Sequence, residues 1–185
     1  GLLRMESDRN IAEVGRKTGV DEQNMQHFMS QSPWSARAMI EQMQSEVMNR
    51  QELMGGVLIL DESADAKSGE MSAGAARQHN GRLGKVDVCQ VGVFLTYAKD
   101  GIWTWLDGEL FLPEKWLSDD YAARRTQVGI PTDRSFQTKI ELGWQMIERA
   151  QKMGFLFEAV AFDSLYGRNR KLRDQCQANG IEYYA

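Results

Sequence analysis

Asp61 closes the apolar run Val57-Leu58-Ile59-Leu60, and Asp163 closes a second one, Val160-Ala161-Phe162. Short runs of this kind predict core strands. An ionised carboxylate at the tip of such a strand is costly to leave unpaired. Two of them brought side by side repel unless a cation sits between them. The fitting cation is hard and oxygen-seeking, most simply Mg²⁺. Two such ions about 4 Å apart activate a water or a 3′-hydroxyl and stabilise a leaving oxygen. That is the chemistry of phosphodiester cleavage and transfer. In this scheme Asp61 bridges the ions and Asp163 holds one from the other side. Either aspartate alone reads equally well as a helix cap or turn residue, so the pair carries the argument.

A complete site of this type needs a third carboxylate, usually on a later helix. Glu182 lies in the last predicted strand and Asp174 sits mid-helix among basic residues, so neither is convincing. Strand alternation points Glu62 away from the Asp61 side chain, and Glu62 and Asp65 read as ordinary loop acids. Lys67 reaches a phosphate from the loop or is simply solvated. The stretch Tyr166-Gly167-Arg168-Asn169-Arg170-Lys171-Leu172-Arg173 follows directly on Asp163. It reads either as a solvated helix face or as a basic strip suited to a phosphodiester substrate. Lys67, Arg77, Arg168, Arg170, Lys171 and Arg173 are the candidate DNA contacts.

The elements that must position these residues follow from periodicity and punctuation. Residues 1–52 read as helical. Ile11 and Val14 share one helix face, Gly19 makes a turn, and Asp21 caps a second helix carrying Met25, Phe28 and Met29. Ser35 caps a third helix with Met39, Ile40, Met43 and Val47. This arrangement reads as a helix-turn-helix or as a small helical bundle. Residues 1–50 hold six basic and seven acidic residues, so no basic face stands out. Gly55-Gly56 marks the junction to residues 53–185. Val57 to Asp61 is a strand, and residues 63–84 read as a long loop. Val86–Ala98 and Ile102–Leu112 form a hairpin around Lys99-Asp100-Gly101, with Trp103 and Trp105 facing one side. Helices are expected at 118–128, 138–153 and 168–178, and strands at 158–162 and 181–184.

The order is strand, antiparallel hairpin, helices, strand, helix, strand. A doubly wound fold would alternate strand and helix from the start. An early hairpin and late crossovers give an α/β chain with a mixed sheet of the ribonuclease-H-like (retroviral-integrase-like) kind. There, the first strand neighbours the first of the late parallel strands, which brings Asp61 and Asp163 together.

Composition narrows the remaining classes. The 185 residues carry a formal charge of −4, which argues against a pure nucleic-acid binder. No apolar stretch approaches the roughly 18 residues of a membrane span, and Gly1-Leu2-Leu3-Arg4 does not open a signal peptide. Cys89 and Cys176 fit no metal-ligand spacing and read as reduced thiols of a cytoplasmic protein. His27 and His79 read as surface residues. No Gly-rich phosphate loop or nucleophile elbow is present, which disfavours a small-molecule enzyme.

Several blocks then resemble, in order, those of bacterial insertion-sequence transposases of the DDE class, of the insertion-sequence-701 type. They are Val57 to Ser63 with Lys67-Ser68-Gly69, Ala76 to Gly81 with Val88 to Val93, Gly108 to Trp116, and Phe162 to Gly167. The resemblance covers nearly the whole chain. It implies a helical DNA-binding region at 1–52 and a catalytic core at 53–185, with Asp61 and Asp163 as the first two acids of the triad. It implies binding to terminal inverted repeats, cleavage, and joining to target DNA with Mg²⁺, for which Mn²⁺ substitutes. A homodimer is implied for the full-length form, in the bacterial cytoplasm at the nucleoid. The family's catalytic Glu lies beyond the strand that ends at Ala185, so a truncated copy lacking the third metal ligand is expected. The alternatives are a non-catalytic DNA-binding remnant that regulates or inhibits transposition, and a generic ribonuclease-H-like nuclease.

Overall fold

The computed structural model describes residues 10–185; the leader reading of Gly1-Leu2-Leu3-Arg4 falls outside them. The chain divides into two compact units, Gly1–Met39 and Ile40–Ala185.

In the first unit, α1 (Ile11–Thr18) is capped by the Asn10 side chain and closed by Gly19 at φ 71°. Only glycine takes that left-handed angle without a Cβ penalty. α2 (Glu22–Gln31) is capped by Asp21, as expected, and buries none of its residues. Phe28 and Met29 of its apolar stripe are exposed. α3 (Ala36–Met48), whose Ala38 N–H bonds Ser35 Oγ, starts in this unit and runs into the next. Its second half belongs to the larger core. Val47 is buried there, and buried Gln44 donates to the Leu106 carbonyl at 2.7 Å.

The second unit is built on six strands: β1 (Gly56–Ala66), β2 (Ala76–Asn80), β3 (Lys85–Lys99), β4 (Ile102–Phe111), β5 (Phe157–Phe162) and β6 (Glu182–Tyr184). β1 is antiparallel to β3 and parallel to β5, and β5 is parallel to β6. β4 and β2 pair with successive stretches of the long β3. The antiparallel strands β1, β3 and β4, extended by the parallel β5 and β6, follow the ribonuclease-H-like order expected from the sequence, and β2 is an additional antiparallel strand on β3.

The long loop expected at 63–84 is a correction. β1 continues through Ala66, with Ser63 opposite Gly92 and Ala66 opposite Cys89, and β2 follows as a further strand. Ser, Ala and Asp are weak strand formers. Here the fifteen-residue β3 supplies a ready ladder that overrides local preference. The hairpin forms as expected, with Asp100 at φ 50° and Gly101 at φ 81°. These positive angles match the twist that two-residue hairpin turns require. A bulge between Leu95 and Thr96 drops Leu106 into the core.

The single helix expected at 118–128 is replaced by two 3₁₀ turns, Glu114–Leu117 and Asp119–Tyr121, and the short α4 (Ala122–Gln127). Buried Trp116 explains this, because its indole N–H is committed to the Ala75 carbonyl at 2.8 Å. Arg125 then ties the Trp116 and Ser118 carbonyls. α5 (Lys139–Lys152) starts at a capping box between Thr138 and Glu141. α6 (Ser164–Gly167) and α7 (Arg170–Ala178) complete the unit.

Alternation assigns the two sheet faces. Leu58, Leu60, Val93, Leu95 and Val160 are buried and pack with Met146 and Ile147 of α5 and with Leu172 of α7. Burial is worth about 1.5–3 kcal/mol for each such side chain. Two glycines permit the closest approaches. A Cβ on Gly56 would stand 2.4 Å from the Ala98 carbonyl, and one on Gly143 would stand 2.6 Å from Leu60 Cδ2. Arg149 of α5 ties the helix to β4 through Asp107 at 2.8 Å and Glu109 at 3.3 Å. On the opposite face Ile59, Trp103 and Trp105 are exposed, and Trp105 stacks on Phe94.

Candidate metal centre

The parallel pairing of β1 and β5 places Leu60 opposite Phe162. The next residue on each strand is therefore Asp61 and Asp163, and the pair is neighbouring in space as the sequence requires. Both aspartates are exposed rather than buried. Partial desolvation of Asp61 and the neighbouring negative charges both favour a cation there.

Each carboxylate is held by one oxygen. Asp61 Oδ1 accepts the Glu62 N–H at 2.8 Å. Asp163 Oδ1 accepts the N–H groups of Leu165 at 2.9 Å and Tyr166 at 3.4 Å, capping α6. The cap reading and the ligand reading of Asp163 are therefore compatible. Neither Oδ2 takes a hydrogen bond among the described residues. Partial burial, then the charges of Glu62 and Asp163, push the Asp61 carboxyl above its usual range; the Glu62 amide and Lys139 oppose this.

The linkage sign follows. A carboxyl with a raised folded-state pKa favours its neutral form, so its contribution to stability is present at low pH and is lost as pH rises through that raised value. Asp61→Asn should therefore raise the melting midpoint at pH 7 in EDTA by about 1 °C. The gain is small because the group is exposed. The same substitution should give no gain near pH 3, and thermal melts at the two pH values check this.

Two oxygens on hard, adjacent carboxylates suit a divalent hard cation. Among the described residues no group of three His, Cys, Asp or Glu is placed to hold a metal ion. The candidate donors here are the two aspartates. Glu62, read from sequence as a loop acid, is instead a strand residue pointing to the sheet's covered face. There it pairs with Lys139 of α5 at 2.9 Å, and both side chains are largely buried. Tyr166 is fully buried below the pair. Burial first, then the Glu62 carboxylate, push its phenol far above the ordinary tyrosine range. Sequence reading missed Lys139 and Tyr166. The usable signals were the Lys at the start of a capped helix and a Tyr three residues after the strand-end Asp.

The candidate DNA contacts scatter. Lys67 pairs with Asp65 at 2.6 Å just past β1. Arg77 is exposed on β2, opposite Val88. Arg168 is exposed between α6 and α7. Arg170 stands 3.5 Å from Asp174, and Lys171 stands 3.9 Å from Glu141, all on exposed side chains. Arg173 is half-buried and donates to the Gly167 carbonyl, so it fastens the end of α6. Cys89 and Cys176 are buried free thiols. No helix among the described residues is long and apolar enough to cross a membrane.

Comparison with known proteins adds an independent line. The chain is 30% identical over 167 residues to a probable transposase for insertion sequence element IS701 from Microchaete diplosiphon. That match covers 88% of this chain and 40% of the relative, so the chain spans about two fifths of that protein's length. Solved structures of the Mos1 strand transfer complex and of the Mos1 mariner paired end complex with Mn match at 15% identity, with TM-scores of 0.31 and 0.28. They cover all of this chain and 55% and 56% of those chains. At such scores they carry no weight here, and the fold rests on the strand order. A family model described as DDE superfamily endonuclease matches residues 1–185, and the chain belongs to that family.

Proposed function

We propose that this chain carries the catalytic core of an insertion-sequence transposase, which cuts DNA at the terminal inverted repeats of its element and joins the ends to target DNA. The observation that carries the reading is the pairing of β1 with β5, which sets two half-satisfied carboxylates side by side at the end of a ribonuclease-H-like sheet. Family membership and the likeness to a probable IS701 transposase support it.

Asp61 and Asp163 would hold a divalent cation, Mg²⁺ or Mn²⁺, through their Oδ2 atoms. Such a cation would neutralise phosphate charge and would lower the pKa of an attacking water or 3′-hydroxyl. The chain's own residues do the rest. Backbone N–H groups of Glu62, Leu165 and Tyr166 fix the inner oxygen of each carboxylate. Lys139 adds positive charge within electrostatic reach of Asp61. Arg168, Arg170 and Lys171 lie exposed beyond Asp163, where they can contact the phosphate backbone. Lys67 and Arg77 are the corresponding candidates on the β1–β2 side, while Arg173 positions the strip from below.

Residues 1–52 are assigned to DNA recognition. Their second helix carries no Lys or Arg, leaving Gln23, Asn24, Gln26 and His27 as groups able to read base edges. Asp61→Ala should then leave DNA binding by this region unchanged, within about twofold in a gel-shift assay. Lost binding would sink the two-module reading. The transposase reading itself is tested by incubating the full-length gene product with Mg²⁺ and labelled duplexes, with and without the element's terminal repeats. Cleavage at the repeats is expected. Cleavage indifferent to them would identify a general nuclease, and binding without cleavage would identify a regulatory DNA-binding protein. A homodimer on paired ends and action at the nucleoid belong to the same proposal.

A further inference from the structure

On the covered side of the sheet, beside the residues that carry the aspartates, three side chains converge around Glu62. They are Glu62 of β1, Tyr166 of α6 and Lys139 of α5. Glu62 follows Asp61, and its backbone N–H holds Asp61 Oδ1 at 2.8 Å. Tyr166 follows Asp163 by one helical turn, and its backbone N–H reaches Asp163 Oδ1 at 3.4 Å. The two residues that hold the carboxylates through their backbones therefore meet through their side chains. Glu62 Oε2 and the Tyr166 hydroxyl are both buried and interact with each other, short of full hydrogen-bond geometry. The Tyr166 hydroxyl lies within electrostatic reach of Glu62, Asp61 and Asp163 together. Glu62 Oε1 is tied to Lys139 Nζ at 2.9 Å, which fixes the contact to the first turn of α5. The Lys139 ammonium also lies over the Phe111 ring at 5.7 Å.

A lysine at a helix start opposes the helix dipole, and burying a carboxylate beside a phenol is costly unless the two interact. A fold would not place both at one spot for packing alone. A leucine and a phenylalanine would fill the same space.

We propose that Glu62, Tyr166 and Lys139 form a buried brace that sets the separation of Asp61 and Asp163, making them positioning residues for the cation. This rests on the metal reading above. The brace touches neither cation nor DNA. It acts through the two backbone segments that carry the ligands. Partners of metal ligands that fix their orientation typically change affinity by about 10–100-fold when removed.

The test is Mn²⁺ binding to this chain by electron paramagnetic resonance, with melting midpoints recorded alongside. Tyr166→Phe keeps the ring and removes only the hydroxyl. It is expected to weaken Mn²⁺ binding about tenfold. Glu62→Gln is expected to weaken it similarly, and the Tyr166→Phe/Glu62→Gln pair should be clearly less than additive, as coupled residues are. Lys139→Met supplies the decision if Tyr166→Phe does not fold. Removing a positive charge near the carboxylates should by Coulomb's law tighten cation binding, whereas loss of the brace loosens it. Weaker binding in Lys139→Met supports the brace, and equal or tighter binding overturns it. If Asp61→Asn and Asp163→Asn abolish Mn²⁺ binding while Tyr166→Phe and Lys139→Met leave it unchanged, the brace fails and the metal site stands. If the aspartate variants bind as the unaltered chain does, the metal reading fails and the brace falls with it.

Discussion

Asp163→Asn should weaken Mn²⁺ binding to this chain by at least about tenfold, and Asp61→Asn should do the same, with no loss of fold. By the transposase proposal, either change should also reduce Mg²⁺-dependent DNA cleavage below detection. The reasoning is structural. Each aspartate keeps one oxygen on backbone amides and leaves the other without a hydrogen bond among the described residues. An amide side chain still accepts those backbone bonds, so the cap on α6 persists. It loses the negative charge on which a hard cation depends. Asp163→Asn should leave the far-ultraviolet circular dichroism unchanged. It also removes one of the charges that raise the Asp61 pKa, so Asp61 should titrate lower in that variant. Carbonyl-detected NMR of the Asp61 carboxylate reads this directly. An unchanged Asp61 titration would mean that the two groups do not face one another.

The second large effect concerns the packing that carries Asp61. Leu60 is fully buried, and the three heavy atoms nearest to a Cβ built on Gly143 all belong to it. Leu60→Ala should cost about 3 kcal/mol, lowering the melting midpoint by roughly 10 °C for a domain of this size. Gly143→Ala alone should also destabilise, by about 1–2 kcal/mol. Its methyl would sit 2.6 Å from Leu60 Cδ2 in a core with no room to yield. The cycle closes in an instructive way. In the Leu60→Ala background the clashing atoms are gone, and alanine gains about 1 kcal/mol of helix propensity over glycine. The double variant should thus be more stable than Leu60→Ala alone. Denaturant unfolding of the four proteins checks this. If Gly143→Ala destabilises equally in both backgrounds, α5 does not cross β1 at Leu60.

Much of this was legible in the chain, for physical reasons that differ by element. The hairpin declared itself through alternation and the Asp-Gly turn, and the apolar face of Ile140, Trp144 and Ile147 announced α5. The two apolar runs ending in Asp carried both the fold order and the neighbouring placement of Asp61 and Asp163, because a parallel sheet aligns strand ends. Ser63 to Ala66 were misread, since their strand character comes from β3 and not from their own residues. The turns at 114–121 were misread because buried Trp116, through one indole hydrogen bond to Ala75, outweighs local helix preference. Glu62 was read as a loop acid, yet extending the strand one residue puts it on the covered face beside Lys139 and Tyr166. That convergence joins residues from three elements, and no local pattern signals it. The basic strip was visible as charge, but Arg173's commitment to the Gly167 carbonyl was not.

Anomalous diffraction from crystals of this chain soaked in MnCl₂ tests the central claim most directly. A peak bonded to Oδ2 of both Asp61 and Asp163, at about 2.0–2.3 Å, and absent from Asp61→Asn crystals, is the expected result. A well-occupied Mn²⁺ elsewhere with none between these two oxygens, or a peak that persists in Asp61→Asn, would contradict the assignment of this carboxylate pair as the metal centre.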